Sequence, residues 1–390
     1  MYHITSQAVI DRIESDCRTF RAVLDFGSRQ ISGAEVGHIR TEHMQSEDDA
    51  IQLGGVLSRH AEIKLYTDRL PAKGETFVLY LYLLDWGAAS EGTSYSALHH
   101  MTHGALSVYT HAQIQTLGAY SDGDGAPLGG ELIPMGEFVV SRAKICGIEA
   151  TLDCYDKLGT DRVYVPHVTF PADSFDVVDD VIGQLGISSR RPVSGGYLKT
   201  ASGEYFLTAS GQKIITGAEY AFTVSEPPSG TTCRELLGWI AAMYGGNGIL
   251  DRQGRYTTLF VSDDTCKLSS DRINEPDTAE APVSIKGLRC IVSENTALTV
   301  GDLTDPDNPL IVEFDCPYMT QERLAVIWLK LSRIRWTPGS LTERLGDPRR
   351  DLGDRLYLPG RGITLLASGA AFTFDGGLQT EITSCGNLEV

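Results

Sequence analysis

FTFDGGLQTEITSC, running from Phe372 to Cys385, contains a two-stranded element with its turn supplied. Phe372, Phe374, Leu378, Ile382 and Ser384 share even parity, while Thr373, Asp375, Gln379, Glu381 and Thr383 take the odd positions. A pleated strand sends alternate side chains to opposite faces, so one face of this element is apolar and calls for burial. Asp375, Gly376 and Gly377 sit at the middle of the alternation, where a hairpin turn needs positive φ. The stretch predicts a closing hairpin of an antiparallel sheet.

Working outward, the preceding residues "GDRLYLPGRGITLLASGAA" (Gly353–Ala371) are strand-like with glycines between the runs. A second region has the same texture. "FRAVLDF", "AEVGHIRTEH", "AIQLGGVLSRHAEIKLY" and "ETFVLYLYLL" lie between Phe20 and Leu84, and "GEFVVSRAKICGIEATLDCYD" spans Gly136–Asp156. Long strands with glycine at the corners suit small barrels. The expected class is therefore α+β and β-rich, with two similar β-barrel domains and mixed α/β structure between and inserted. Leu53, Ile63, Phe138 and Val140 are candidates for the wall of the first barrel. Phe372, Phe374, Asp375, Gly376, Gly377, Leu378 and Ile382 are candidates for the second. The expected domains are 1–158 with an insertion at 87–130, 159–275, and 276–390 with a helical insertion at 317–345.

Three helices are readable. "FPADSFDVVDDVIGQLG" starts at Asp173 or Ser174, carries Phe175, Val178 and Ile182 on one face and has Gly186 to stop it. Thr232 and Glu235 form a capping box ahead of Leu236, Leu237 and Ile240, with Gly245-Gly246 at the end. "TQERLAVIWLKLSRIRW" is capped by Thr320 and presents Leu324, Ile327, Trp328, Leu331 and Ile334 as a stripe. "GILDRQGRYTTLFV" reads as strand, Gly254 turn and strand. Ser269–Pro282, polar and acidic, reads as a linker into the last domain.

At 390 residues the chain is long enough for two or three domains. Hydrophobic residues at 42% and charged ones at 22% are values of a folded soluble protein. No stretch reaches the roughly 20 continuous apolar residues of a membrane span, and "MYHITSQAVIDRIESD" lacks the basic and apolar regions of a signal peptide. Neither membrane insertion nor export through a signal is expected. Eight cysteines, at positions 17, 146, 154, 233, 266, 290, 316 and 385, are spread without a CxxC, which argues for reduced thiols over a zinc ribbon or a disulfide framework. The net charge of −18 disfavours stable nucleic-acid binding, which needs clustered Lys and Arg.

Motifs for catalysis are few. His99, His100, His103 and His111 form the most metal-like cluster, without accompanying Cys and without HxxxH or HExxH spacing. "SDGDG" starts like a calcium loop, but counting from Asp122 puts Pro127 where the glycine belongs and Ile133 where the glutamate belongs. GxSxG and GxxxxGK[ST] do not occur, and "YGGNGIL" lacks dinucleotide-binding spacing. A spatially defined pair of carboxylates stays open on sequence grounds. No catalytic, cofactor-binding or metal residue is assigned.

The order of elements resembles the tail-hub family of bacteriophages and of related contractile injection machines, which also supplies the N-terminal part of tail-associated proteins of long non-contractile tails. The stretches that carry the resemblance are Ala50–Leu65, Ile133–Leu158, Thr231–Val261, and Leu345–Gly386 with its "LGDPRRDLGDRLYL". The resemblance implies a non-enzymatic homotrimer whose two barrels per subunit build a ring of near-sixfold symmetry against a hexameric tail tube or distal tail ring. It further implies a seat for a spike or fibre protein, contact with the tape-measure protein, assembly in the host cytoplasm, and a place in the virion at the tail tip or baseplate during host-cell entry. DNA would pass through such a ring without sticking to it, and the closing hairpin would lie against a neighbour. The 87–130 insertion departs from the family pattern. Because the chain stops at Val390, a peptidase, lysozyme or receptor-binding extension is expected on another protein. Two other classes remain open: a tail-associated cell-wall hydrolase, and a receptor- or ion-binding module acting through the histidine-rich insertion.

Overall fold

The computed structural model describes residues 7–15, 18–45, 51–68, 70–83, 131–190, 222–262, 265–304 and 310–385, with two-residue strands at 196–197 and 215–216. The histidine cluster, "SDGDG" and Cys17 lie outside these residues.

After helix α1 (Gln7–Ile13), the first β region comprises β1 (Phe20–Asp25), β2 (Gln30–Ser32), β3 (Val36–Met44), β4 (Val56–Leu57), β5 (His60–Leu65), β6 (Thr76–Leu83), β7 (Glu131–Cys146) and β8 (Glu149–Tyr155). The middle holds α2 (Ser174–Gln184), α3 (Cys233–Met243), β9 (Asn247–Leu250) and β10 (Tyr256–Leu259). The last region has β11 (Thr265–Lys267), β12 (Asp277–Thr278), β13 (Gly287–Ser293), β14 (Thr296–Gly301), β15 (Ile311–Asp315), α4 (Gln321–Leu331), β16 (Gly339–Glu343), β17 (Arg355–Leu358), β18 (Ile363–Phe374) and β19 (Leu378–Ser384).

The helices start and stop where their caps dictate. Asp173 caps α2 by accepting from the Phe175 amide, and Gly186 beyond its end takes φ +69°. Thr232 and Glu235 form the reciprocal capping box of α3. Thr320 caps α4, which buries Leu324, Ile327 and Leu331. These apolar stripes make two cores. The first packs α2 against α3 through Val181, Ile182, Leu236 and Leu237. The second sets α4 over the small sheet β14-β13-β15.

The closing hairpin forms as its parity demands. Phe372, Phe374, Leu378, Ile382 and Ser384 are buried, Asp375, Gly376 and Gly377 are exposed, and Gly376 supplies φ +73°. Yet the expected pair of closed barrels is not what the strands form. A thirteen-stranded sheet runs β12-β16-β19-β18-β3-β5-β8-β7-β6-β1-β2, with β17 and β11 attached beside β18, and among the described residues no sheet closes on itself. The two β regions join where β18 pairs antiparallel with β3, from Phe374 opposite Ile39 to Gly369 opposite Met44. The physical reason is shared burial: Ala370, Phe372, Phe374 and Leu378 enter the same core as Ile39, Ile63, Phe138 and Val140. Joining the strands edge to edge also satisfies both rows of backbone groups.

Two further expectations change in detail. Leu53 is not in that core; it packs with Ala242 and Met243 of α3 in the core of the last region. Gly54 explains the detour, because a Cβ on Gly238 of α3 would lie 2.3 Å from the Gly54 carbonyl oxygen, so the bend before β4 and the helix meet backbone to backbone. The Ser269–Pro282 segment is tied down rather than free: Ile273 is buried, the Asn274 amide donates to Thr342, and β12 pairs with β16.

Candidate functional site

The charged residues of "GDPRRDLGD" turn inward. Arg252, in the turn after β9 and 2% exposed, donates from Nε to both oxygens of Asp351 at 3.0 and 3.1 Å. Its other nitrogens reach the carbonyls of Pro348 and Arg350, and its guanidinium lies 5.4 Å from the Phe372 ring centroid. Arg59, which follows β4, reaches the same Asp351 at 3.7 Å and donates to the Met135 carbonyl at 2.5 Å. Asp156 then holds the Arg59 amide at 2.8 Å and the Ser58 hydroxyl at 2.7 Å. One carboxylate thus clasps arginines from the first β region and the middle to a loop of the last region.

A second cluster continues along the same loop. Arg350 pairs with Glu343 of β16 at 2.9 Å and with Asp347 at 3.2 Å, and Arg349 joins Asp347 at 2.7 Å to Glu14 at 2.9 Å. Burial works to raise the Asp347 carboxyl, but the Arg350 and Arg349 guanidiniums outweigh it and hold it at about 2. Burial opposes ionisation of Asp351 too, and Arg252 and Arg59 again prevail, keeping it below the usual carboxylate range. Glu14, Asp347 and Arg349 line an open polar cleft of about 650 Å³ together with Lys267, Asp271 and Arg272.

His43 of β3 lies against this clasp, its Nδ1 3.3 Å from Arg59. Burial and then the Arg59 charge push the imidazole down to about 3, so it is neutral. A small void of about 10 Å³ lies between His43, Arg59, Arg252, Asp351 and Phe372.

The best catalytic-looking geometry is elsewhere. Asp180 of α2 accepts from the Tyr164 hydroxyl at 2.7 Å and the His167 amide at 3.0 Å, and lies 2.8 Å from His167 Nδ1. This is an oriented acid–imidazole pair, with His167 65% exposed. Among the described residues no Ser, Thr or Cys hydrogen-bonds to His167, so the pair lacks the nucleophile that its geometry would activate. Asp180 instead staples the 164–167 loop to α2. Among the described residues no three metal-ligating side chains converge, no two cysteines are joined, and no helix is long and apolar enough to cross a membrane.

Of the residues singled out from sequence, Phe372, Phe374, Leu378, Ile382, Ile63, Phe138 and Val140 are core. Asp375, Gly376 and Gly377 form an exposed tip. Asp351, Arg252 and Arg59 were not singled out. The available signal was opposite charges packed between two strand runs at 347–354, where a solvated loop would not need them so dense.

No protein-family model matches the chain, and no curated protein matches it. Among solved structures it is similar to the tail protein from Neisseria meningitidis MC58, at 12% identity over 95% of this chain and 97% of that one, with a TM-score of 0.48. It is also similar to the 43 kDa tail protein of prophage MuSo2 from Shewanella oneidensis, at 11% identity over 93% and 98% with a TM-score of 0.43. A third likeness is to the phage P2 baseplate in its activated conformation with Ca, at 8% identity over 94% and 99% with a TM-score of 0.31.

Proposed function

We propose that this chain is a structural, non-enzymatic subunit of a phage tail or baseplate, acting as a hub at the tail tip. The observation that carries the reading is the clasp. The Arg252 and Arg59 guanidiniums are buried and paired within the chain to Asp351, where they join three parts of the chain instead of facing a substrate. Such a clasp suits a rigid building block. The element order of the sequence supports the hub in particular.

In this reading three chains form a ring, each giving two β regions, so that threefold symmetry imitates sixfold and meets a hexameric tube. The exposed Asp375–Gly377 tip meets a neighbouring subunit, and a spike or fibre seats below. The acidic balance of −18 lets DNA pass without adhering. Light scattering and particle images of the purified protein test this: a threefold ring with six lobes is expected. A strictly monomeric particle that binds no tube or ring protein would overturn it, and turnover of peptidoglycan abolished by Asp180→Asn would favour a hydrolase.

A further inference from the structure

The strand β7 outlasts its neighbour. Pairing with β6 ends at Thr76 opposite Val139, and the last bonds on that side join Gly74 and Glu75 to Val140. From Ser141 to Cys146 the strand runs on with β8 as its only strand partner among the described residues, and all six residues are exposed. Among the described residues no strand pairs with its other edge, whose row of amides and carbonyls is a template for another strand.

The two faces of this overhang differ. Directly opposed residues share a face, so Arg142 opposite Asp153 and Lys144 opposite Thr151 are on the polar side, while Ala143 opposite Leu152 and Ile145 opposite Ala150 are on the other. Leu152 and Ala150 are buried, but Ile145 is 61% exposed and Ile148 in the turn 83%. The apolar face thus continues past the end of its own core. In a chain of net charge −18, the edge segment Ser-Arg-Ala-Lys-Ile-Cys has two cations and no anion.

A complementary edge exists in the last region. β15 has β13 as its only strand partner among the described residues, and its sequence Ile-Val-Glu-Phe-Asp exposes Glu313 and Asp315 while burying Val312 and Phe314. On both strands charges occupy alternate positions with apolar residues between. Laid edge to edge in either direction, they put Arg142 and Lys144 beside Glu313 and Asp315, and the same register continues Ala143 and Ile145 into the face of Val312 and Phe314. A slip of one residue would lose both matches. Within the chain the two edges belong to different sheets.

We infer that the free edge of β7 at Ser141–Cys146 pairs with the free edge of β15 on a second copy of this chain. The contact is heterologous, since the two surfaces differ, so repeating it builds a ring when the rotation closes. Backbone bonds give the affinity and the charge pattern the register. This deepens the hub reading and rests on it for the closure of the ring.

The test is the assembly mass of the full chain by light scattering, with circular dichroism confirming folding. R142E/K144E alters exposed side chains, at the cost of the 3.3 Å Arg142–Asp153 pair within the chain, and is expected to weaken association about tenfold or more. R142E/K144E/E313K/D315K, which exchanges the charges, is expected to restore the wild-type mass, although the change at Glu313 removes its existing 3.1 Å pairing with Arg289. If R142E/K144E keeps the wild-type mass, or the folded quadruple variant stays dissociated, this pairing is wrong while the ring reading stands. If the wild-type protein is monomeric at its highest soluble concentration, both fall.

Discussion

Two hairpins in the same sheet use the same alternation to opposite ends. In β18–β19 the apolar residues are covered by the chain's own first β region, both strands have neighbours on their outer edges, and a charged loop lies against them. In β7–β8 the pattern continues beyond the core, the outer edge of β7 is unpaired past Val140 among the described residues, and the ion pairs Arg142–Asp153 at 3.3 Å and Lys64–Glu149 at 3.8 Å are solvent-facing. Alternation says that a face seeks cover; it does not say whether the same chain supplies it.

The sharpest way to break this contrast is at the clasp. Arg252→Ala would leave the half-buried Asp351 with the longer Arg59 contact and remove the cation from the Phe372 ring. Removing one partner of a buried pair costs about 3–5 kcal/mol, and urea unfolding should show a loss of that size. A loss below about 1 kcal/mol would mean that the closing hairpin is not held from this side. Next comes Ile382→Ala, at a position 1% exposed, with an expected loss of about 2–5 kcal/mol read from the same unfolding curves.

His43 sharpens the contrast through pH, because it lies where β3 and β18 join, opposite Ala370. Its folded value of about 3 is below the ordinary 6.5, so the unfolded chain takes up a proton that the folded chain refuses. The stability is complete above about 6.5 and is lost as pH falls toward 3; at about 1.4 kcal/mol per unit this amounts to a few kcal/mol. Arg59 and Arg252 face the ring and oppose its charging, while Asp351 favours it. His43→Gln should flatten the unfolding free energy between pH 6 and 4, a window above the one in which Asp347, held at about 2, is titrated. An unchanged slope would remove His43 as the cause.

Parity and caps were legible from sequence because they are local: the Asp375–Gly377 turn, the Thr232–Glu235 box and the Leu324/Ile327/Leu331 stripe each act within a few residues. What was illegible is what distance in sequence hides. Arg252 and Asp351 are 99 residues apart, and nothing in either neighbourhood names the other. Leu53 reads as a barrel residue because its run is apolar; only the close approach of Gly54 to Gly238 shows that it turns to α3. The same holds for the barrels. Two glycine-rich β regions describe strands that bend, but the neighbour of β18 is decided by the shared core with β3, a choice made among non-local partners.

The smallest effect is the most discriminating for the two hairpins. Ile148→Asn at 83% exposure removes apolar surface that water already touches, so the free energy of unfolding of the dissociated chain should move by no more than about 0.5 kcal/mol. The polar side chain also suits a turn whose Gly147 takes φ +66°, so no folding penalty is expected from the backbone. Any larger loss would show that the β7–β8 tip is covered within its own chain, which would make the two hairpins alike. With the same substitution, self-association measured by dilution should weaken, because a face that costs nothing to alter in one copy matters only where a second copy covers it.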